Sequence, residues 1–272
     1  MGSVLVSCLW EEKSSLLPKS RRNGMLSQFI QWLKETSNIP LERSYLFMRK
    51  CVGVIGVALP PVLIIGLMIL ERQSKILDSI SAYYYSDYIS DYSVIGNTFV
   101  GSMCATGIFL IGYRYQHLDD FVSTVAGACA IGVALFPTTP PDRPATEVQM
   151  IIGILHASFA TGFFVTLAIF ALWIFRKSDQ KNPTDRTPEK RQRDKVYLFC
   201  GITILVCLVL SGLVILLSKL SGKPWQQPLH PMIWLEGLAV EAFGIAWFVK
   251  GGTLGILKDK KRGVLRSGTW VP

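Results

Sequence analysis

Three ionisable side chains, His156, Glu236 and Glu241, stand inside long apolar stretches of this 272-residue chain. A charged group in hydrocarbon costs roughly 2.5–3.5 kcal/mol or more, so each is a functional candidate by default. His156 has Gly153 at i−3 and Ala160 at i+4, a small-residue face that suits helix contact and turns the imidazole inward. Glu241 is flanked on its own face by Gly237 and Gly244, near the middle of its stretch, and is a candidate ion or proton carrier. Glu236 lies five residues earlier, about 140° around a helix of 3.6 residues per turn, so the two carboxylates do not form a dyad on one face. Glu236 is instead expected to meet neighbouring loops, or His156.

A polar segment, Asp78-Ser79-Ile80-Ser81-Ala82-Tyr83-Tyr84-Tyr85-Ser86, precedes a stretch containing Asn97. Two readings fit. Tyrosines at this height are interfacial belt residues, because their rings sit well among headgroups. Alternatively Asp78, Ser79, Ser81 and Tyr83 fold over the mouth of a bundle above Asn97, His156 and Glu236, making a polar pocket for a lipid headgroup or a small polar solute.

His156, His230 and Glu236 together have the composition of a zinc site, but a histidine hydrogen-bonded within a structural network is the plainer reading, and no metal or other cofactor is expected. Asp119 and Asp120 share a short turn with Arg114. They form either a salt-bridged cap or an access point for ions or protons. Ser102 lacks the surroundings of a nucleophile elbow, and no glycine-rich phosphate loop occurs.

The elements that must position these residues are six apolar runs, Cys51–Leu70, Ser93–Tyr113, Phe121–Pro137, Met150–Phe175, Val196–Leu217 and Ile233–Val249. Each is near the ~20 residues a helix needs to cross ~30 Å of hydrocarbon. Of the 28 Lys and Arg, eight precede the first run, eight lie between the fourth and fifth, six follow the last and one sits in the second connection. Five remain for the other connections, which by the positive-inside rule puts both termini in the cytoplasm. The expected fold is an all-α, polytopic membrane protein of six transmembrane helices. Residues 1–45 form a cytoplasmic extension, 46–250 the membrane domain and 251–272 a basic tail.

In the extension, Met25, Leu26, Phe29, Ile30 and Leu33 recur at helical spacing, which predicts an amphipathic helix on the membrane surface. Four-residue spacing of small side chains (Gly101 and Ala105; Ala126, Ala130 and Ala134) predicts a tight hairpin of spans two and three. Pro60-Pro61 predicts a kink in the first span. None of the six cysteines falls in a non-cytoplasmic loop, so no structural disulfide is implied. The net charge of +9 is spread as membrane anchoring, with no basic stripe interleaved with aromatics, so membrane lipids and not nucleic acid are the expected partners.

The runs Ser79-Ile80-Ser81-Ala82-Tyr83-Tyr84, Phe99-Val100-Gly101, Tyr113-Arg114, Asp119-Asp120 and Gly132-Val133-Ala134-Leu135-Phe136-Pro137 resemble a family of uncharacterised, mostly bacterial six-span proteins. The likeness extends through His156, Glu236, Phe243-Gly244 and Trp247 to Lys250-Gly251, and so covers residues 50 to 251. The layout is also similar, more distantly, to the domain-of-unknown-function group related to the Frag, DRAM and Sfk membrane proteins. A stretched first loop and the amino-terminal extension depart from that pattern. The resemblance implies six helices, a polar site at the non-cytoplasmic end and, in bacteria, a plasma or inner membrane location; it implies no reaction.

Three functions are compatible with these residues. One is a non-enzymatic protein binding lipid or a small solute in the pocket. Another is a membrane-embedded lipid hydrolase or transferase using His156 and Glu236. The last is a small proton-coupled transporter or channel using Glu241 and His156.

Overall fold

In a computed structural model the described residues are 41–70, 76–86, 93–113, 117–140, 144–177, 186–221 and 230–252. The amphipathic-helix segment and the basic tail lie outside them. Six long helices account for most of this set: α1 Leu41–Leu70, α2 Val94–Gly112, α3 His117–Leu135, α4 Glu147–Leu172, α5 Pro188–Ser221 and α6 Pro231–Lys250. Two short 3-10 turns, Ser81–Tyr85 and Ile174–Arg176, complete the set, and no strand occurs among the described residues.

Five stretches among the described residues, Ser44–Leu70, Val94–Gly112, Glu147–Arg176, Pro188–Ser221 and Pro231–Lys250, are helical and long and apolar enough to cross a membrane. The chain is thus a multi-pass membrane protein, all-helical among its described residues. Helix α3 opens with Asp119 and Asp120 in its first turn.

Several helices run past the limits of their apolar runs, because caps and ion pairs carry them into water. Helix α4 begins at Glu147, where Thr146 and Gln149 form a reciprocal capping box that satisfies two otherwise orphaned N–H groups. Helix α5 begins at Pro188, eight residues before its apolar run. Proline at the first position lacks only an N–H that would have been orphaned anyway, the Thr187 hydroxyl accepts from the Lys190 N–H at 3.2 Å, and Asp194 binds Lys190 at 2.6 Å and Arg186 at 2.7 Å. The basic connection between the fourth and fifth apolar runs is therefore partly helix. Helix α1 continues through Pro60 and Pro61.

From residue 46 onward the helices close into a ring through backbone-level contacts. A Cβ built on Gly244 of α6 would lie 2.6 Å from the Val57 nitrogen of α1, so only glycine permits this crossing. Helix α1 meets α2 where Gly66 lies under Ile95. Helices α2 and α3 cross at Gly107 and Gly127, each glycine facing the other's carbonyl oxygen. This corrects the expected α2 face: Gly101 is exposed with open space around it, whereas Ala126, Ala130 and Ala134 of α3 are buried as expected. Phe159 of α4 covers Gly132 of α3, Leu172 of α4 covers Gly201 of α5, and α5 packs along α6.

Helix α6 is the most enclosed of the apolar helices and α5 the least. At one end Trp247 is fully buried among Phe175, Tyr113, Phe170 and Phe243, with ring centroids 5.2–5.8 Å away. Arg49 donates to the Tyr113 hydroxyl at 2.8 Å there. Aromatic rings fill the described part of this basic end. The opposite end, where residues 78–86 cross the bundle, is open.

Candidate functional site

The site begins with two prolines. Inside a helix the carbonyls of Val133 and Phe136 would accept from the N–H groups of residues 137 and 140, but both are proline and donate nothing. Helix α3 stops at Leu135, leaving these acceptors to find another donor. His156 supplies it: its Nδ1 lies 2.6 Å from the Phe136 oxygen, and the Val133 carbonyl is a second neighbour. Because a carbonyl only accepts, the proton sits on Nδ1, and Nε2 carries the lone pair. The imidazole is 5% exposed.

Glu236, on the second turn of α6, meets the other half of the site. The segment 78–86 enters a 3-10 turn at Ser81 whose N-cap residue, Ile80, has no side-chain acceptor to offer. The Ser81 N–H donates to Glu236 Oε2 at 3.3 Å, and the Ile80 N–H faces the same carboxylate. Glu236 therefore caps this turn from another helix. Locally, the Ser79 hydroxyl accepts from the Ala82 N–H at 3.0 Å. The Tyr85 hydroxyl donates to the Thr138 carbonyl at 2.7 Å, tying the segment to the exit of α3. Gly96 opens α2 directly beneath the Tyr84 carbonyl, where a Cβ would lie 2.8 Å from that oxygen.

These anchors surround a cavity of about 480 Å³. Its polar wall includes Asp78, Ser79, Ser81, His156 and Glu236. Asp78 is paired to His230 Nδ1, and His230 holds a left-handed conformation (φ 42°) at the start of α6. A smaller cavity of about 40 Å³ lies against it, sharing Glu236, Ser81, Ala160 and Phe164.

Of the residues expected to bind ligand, Asp78, Ser79, Ser81, His156 and Glu236 line one space. Tyr83 and Asn97 do not. Tyr83 is fully buried, and burial pushes its phenol pKa upward against the opposing pull of the Leu77 backbone. Asn97 is exposed on α2. Sequence reasoning missed Thr138, Thr139, Thr161 and Ser211, which also line the cavity. The available signal was Ser211-Gly212, a small polar pair within an apolar run, and the threonines beside the proline exit.

Glu241 lines neither cavity. Its helical position falls between the α1-facing residues Val240 and Gly244 and the exposed Leu238 and Ile245, so it sits half-buried at the edge of the α1–α6 seam. Asp119, 3% exposed, binds Lys177 at 2.5 Å, which makes it a salt-bridged cap of the basic end. Asp120 is half-buried beside it, and the Arg114 side chain lies outside the described residues. His156, His230 and Glu236 are not gathered as ligands: among the described residues no three His, Cys, Asp or Glu side chains group as a metal site requires.

The arrangement can therefore bind. It offers an imidazole lone pair, carboxylate oxygens and several hydroxyls to a polar group, beside an apolar wall of Ala157, Phe164, Leu208 and Leu235. No family model matches this chain, and neither a curated protein nor a solved structure is significantly similar to it.

Proposed function

We propose that this protein is a six-span membrane protein with both termini cytoplasmic, and that its outward-facing cavity binds a lipid headgroup or a small polar solute. The carrying observation is the convergence of Asp78, His156 and Glu236, from three separate elements, on a single cavity of about 480 Å³. Each has a fixed partner, so the site is organised before any ligand arrives. The charge pattern supports the orientation, since 23 of 28 basic residues lie on the side that would be cytoplasmic. Helix α3 is the sixth crossing in this reading, its first-turn Asp119 paired with Lys177 at the inner surface. The kinship suggested by the Ser79–Tyr84 and Gly132–Pro137 motifs belongs to the same proposal.

The test is mass spectrometry of the purified protein and of its His156→Ala and Glu236→Gln variants. A stoichiometric small molecule or lipid retained by the wild type and lost from both variants is the expected result. A wild type carrying only bulk lipid, with identical profiles in all three proteins, would sink the proposal. Labelling of cysteines placed at positions 79 and 190 checks the orientation: position 79 should react from outside and 190 only after permeabilisation.

A second reading, a lipid hydrolase, draws on one observation. The Phe136 carbonyl holds the Nδ1 proton and leaves Nε2 able to accept a proton from a nucleophile. Turnover of an ester- or amide-linked lipid that disappears in His156→Ala would favour it. A transport role for Glu241 would show as pH-dependent flux abolished by Glu241→Gln.

A further inference from the structure

The cavity is lined by both α4 and α5. Towards the basic end these helices pack tightly, and a Cβ on Gly201 would lie 2.4 Å from Leu172. Thr161 lies eleven residues before Leu172 and Gly212 eleven residues after Gly201, so the two stand level, roughly 16 Å further along antiparallel helices at ~1.5 Å per residue. At that level a Cβ on Gly212 meets nothing within 4 Å, so this face of α5 is uncovered. Ala157, Thr161 and Gly212 are exposed and line the cavity, two from α4 and one from α5. The gap is edged by Phe164 and Leu208 below and Ile215 above. In a bilayer this opening faces acyl chains.

The polar end has a definite sign. Its ionisable lining groups are Asp78, Glu236 and His156, and none of the described residues lining the cavity is Lys or Arg. His230 already pairs with Asp78. A phosphate head would meet the Glu236 carboxyl and the already paired Asp78 with no Lys or Arg in the lining, and like-charge juxtaposition is strongly disfavoured where water is scarce. Hydroxyl and ammonium groups, by contrast, would find acceptors in Glu236, in His156 Nε2 and in the nearby hydroxyl oxygens.

Building on the pocket proposed above, we propose that its occupant is a lipid admitted sideways between α4 and α5. Its chain lies against the α4–α5 gap, and its head, rich in hydrogen-bond donors and free of net negative charge, reaches Glu236 and His156. A long-chain amine or a hydroxyl-headed acyl lipid belongs to this class; a phosphate-headed lipid does not.

The test uses the full chain in phosphatidylcholine nanodiscs with three diazirine-tagged probes of equal chain length: a primary amine, a monoacylglycerol and an alkyl phosphate. The amine and the monoacylglycerol should crosslink to residues 157–164 and 208–215, with the alkyl phosphate about tenfold weaker, as expected for one unfavourable charge contact. Gly212→Trp fills the gap from a position where a side chain meets open space, and should reduce crosslinking by about tenfold without changing the melting temperature. Thr161→Trp, from the facing helix, should do the same. Glu236→Gln should weaken the amine probe more than the monoacylglycerol.

Equal labelling by the alkyl phosphate overturns the head assignment. If both tryptophan variants label normally while Glu236→Gln does not, the lateral route is wrong and the pocket stands. If no variant changes labelling, the pocket falls with the route.

Discussion

The Nδ1 of His156 donates to the carbonyl oxygen of Phe136 at 2.6 Å, binding the middle of one helix to the broken end of another. The acceptor is available because position 140 is proline, so sequence and site meet in a single missing N–H. Replacing His156 by Ala leaves that buried carbonyl without its donor, which costs about 1–3 kcal/mol. Thermal unfolding in detergent should show the loss. His156→Asn, which can still donate, should recover part of it.

Glu236 holds the 78–86 segment by capping its 3-10 turn. Glu236→Ala should release that segment, raising hydrogen exchange at Ser81 and Ala82 while the amides of α2 and α3 stay protected. Glu236→Gln keeps an acceptor oxygen and should preserve most of the protection. Equal exchange in both variants would show that the carboxylate does not anchor the segment.

The crossing of α1 and α6 tolerates no side chain at Gly244. Gly244→Ala forces the helices apart and should cost about 1–3 kcal/mol, as overpacking does. Gly101→Ala, with open space around it, is the control and should be neutral or slightly stabilising. Melting temperatures of the two variants decide this.

Asp119 and Lys177 form an ion pair with one buried member: the Asp119 side chain is 4% exposed and that of Lys177 36%. Lys177→Met strands a buried carboxylate and should destabilise more than Asp119→Asn, because an uncompensated buried charge costs more than a lost attraction. Combining the two should recover part of the loss. Additive losses in this double-mutant cycle would show that the pair does not couple.

Burial raises the pKa of the Tyr83 phenol above its ordinary value of 10.0. The native state therefore holds this proton more tightly than the unfolded chain, and the resulting stability is present below the ordinary value and lost as pH rises through the raised one. Tyr83→Phe should make unfolding less sensitive to alkali above pH ~10, measured as the wild-type-minus-variant difference in melting temperature. No change in that difference across the alkaline range would mean that the phenol titrates normally.

The helical membrane architecture could be read from apolar length, but the contacts that define the site could not. Gly153 and Ala160 correctly turned His156 inward, because small faces mark helix contacts. Its partner depended on two prolines acting four residues upstream, which periodicity does not reveal. Glu236 announced itself as an acid in an apolar run, yet its role as a cap in trans required the three-dimensional path of residues 78–86. Tyr83 was misplaced because a polar-looking loop hides an aromatic core contact: the 3-10 turn sends Ser81 to the cavity and Tyr83 inward. The glycine of α2 that matters, Gly107, lies six residues from Gly101, about 120° around the helix, a difference that small-residue spacing alone did not resolve.

The Gly56–Gly244 crossing joins the earliest described helix to the latest. During synthesis α1 emerges long before its partner exists, and its glycine face stays unmatched until the ribosome has delivered α2 to α6. A premature stop anywhere before α6 thus leaves Gly56 without the backbone it packs against.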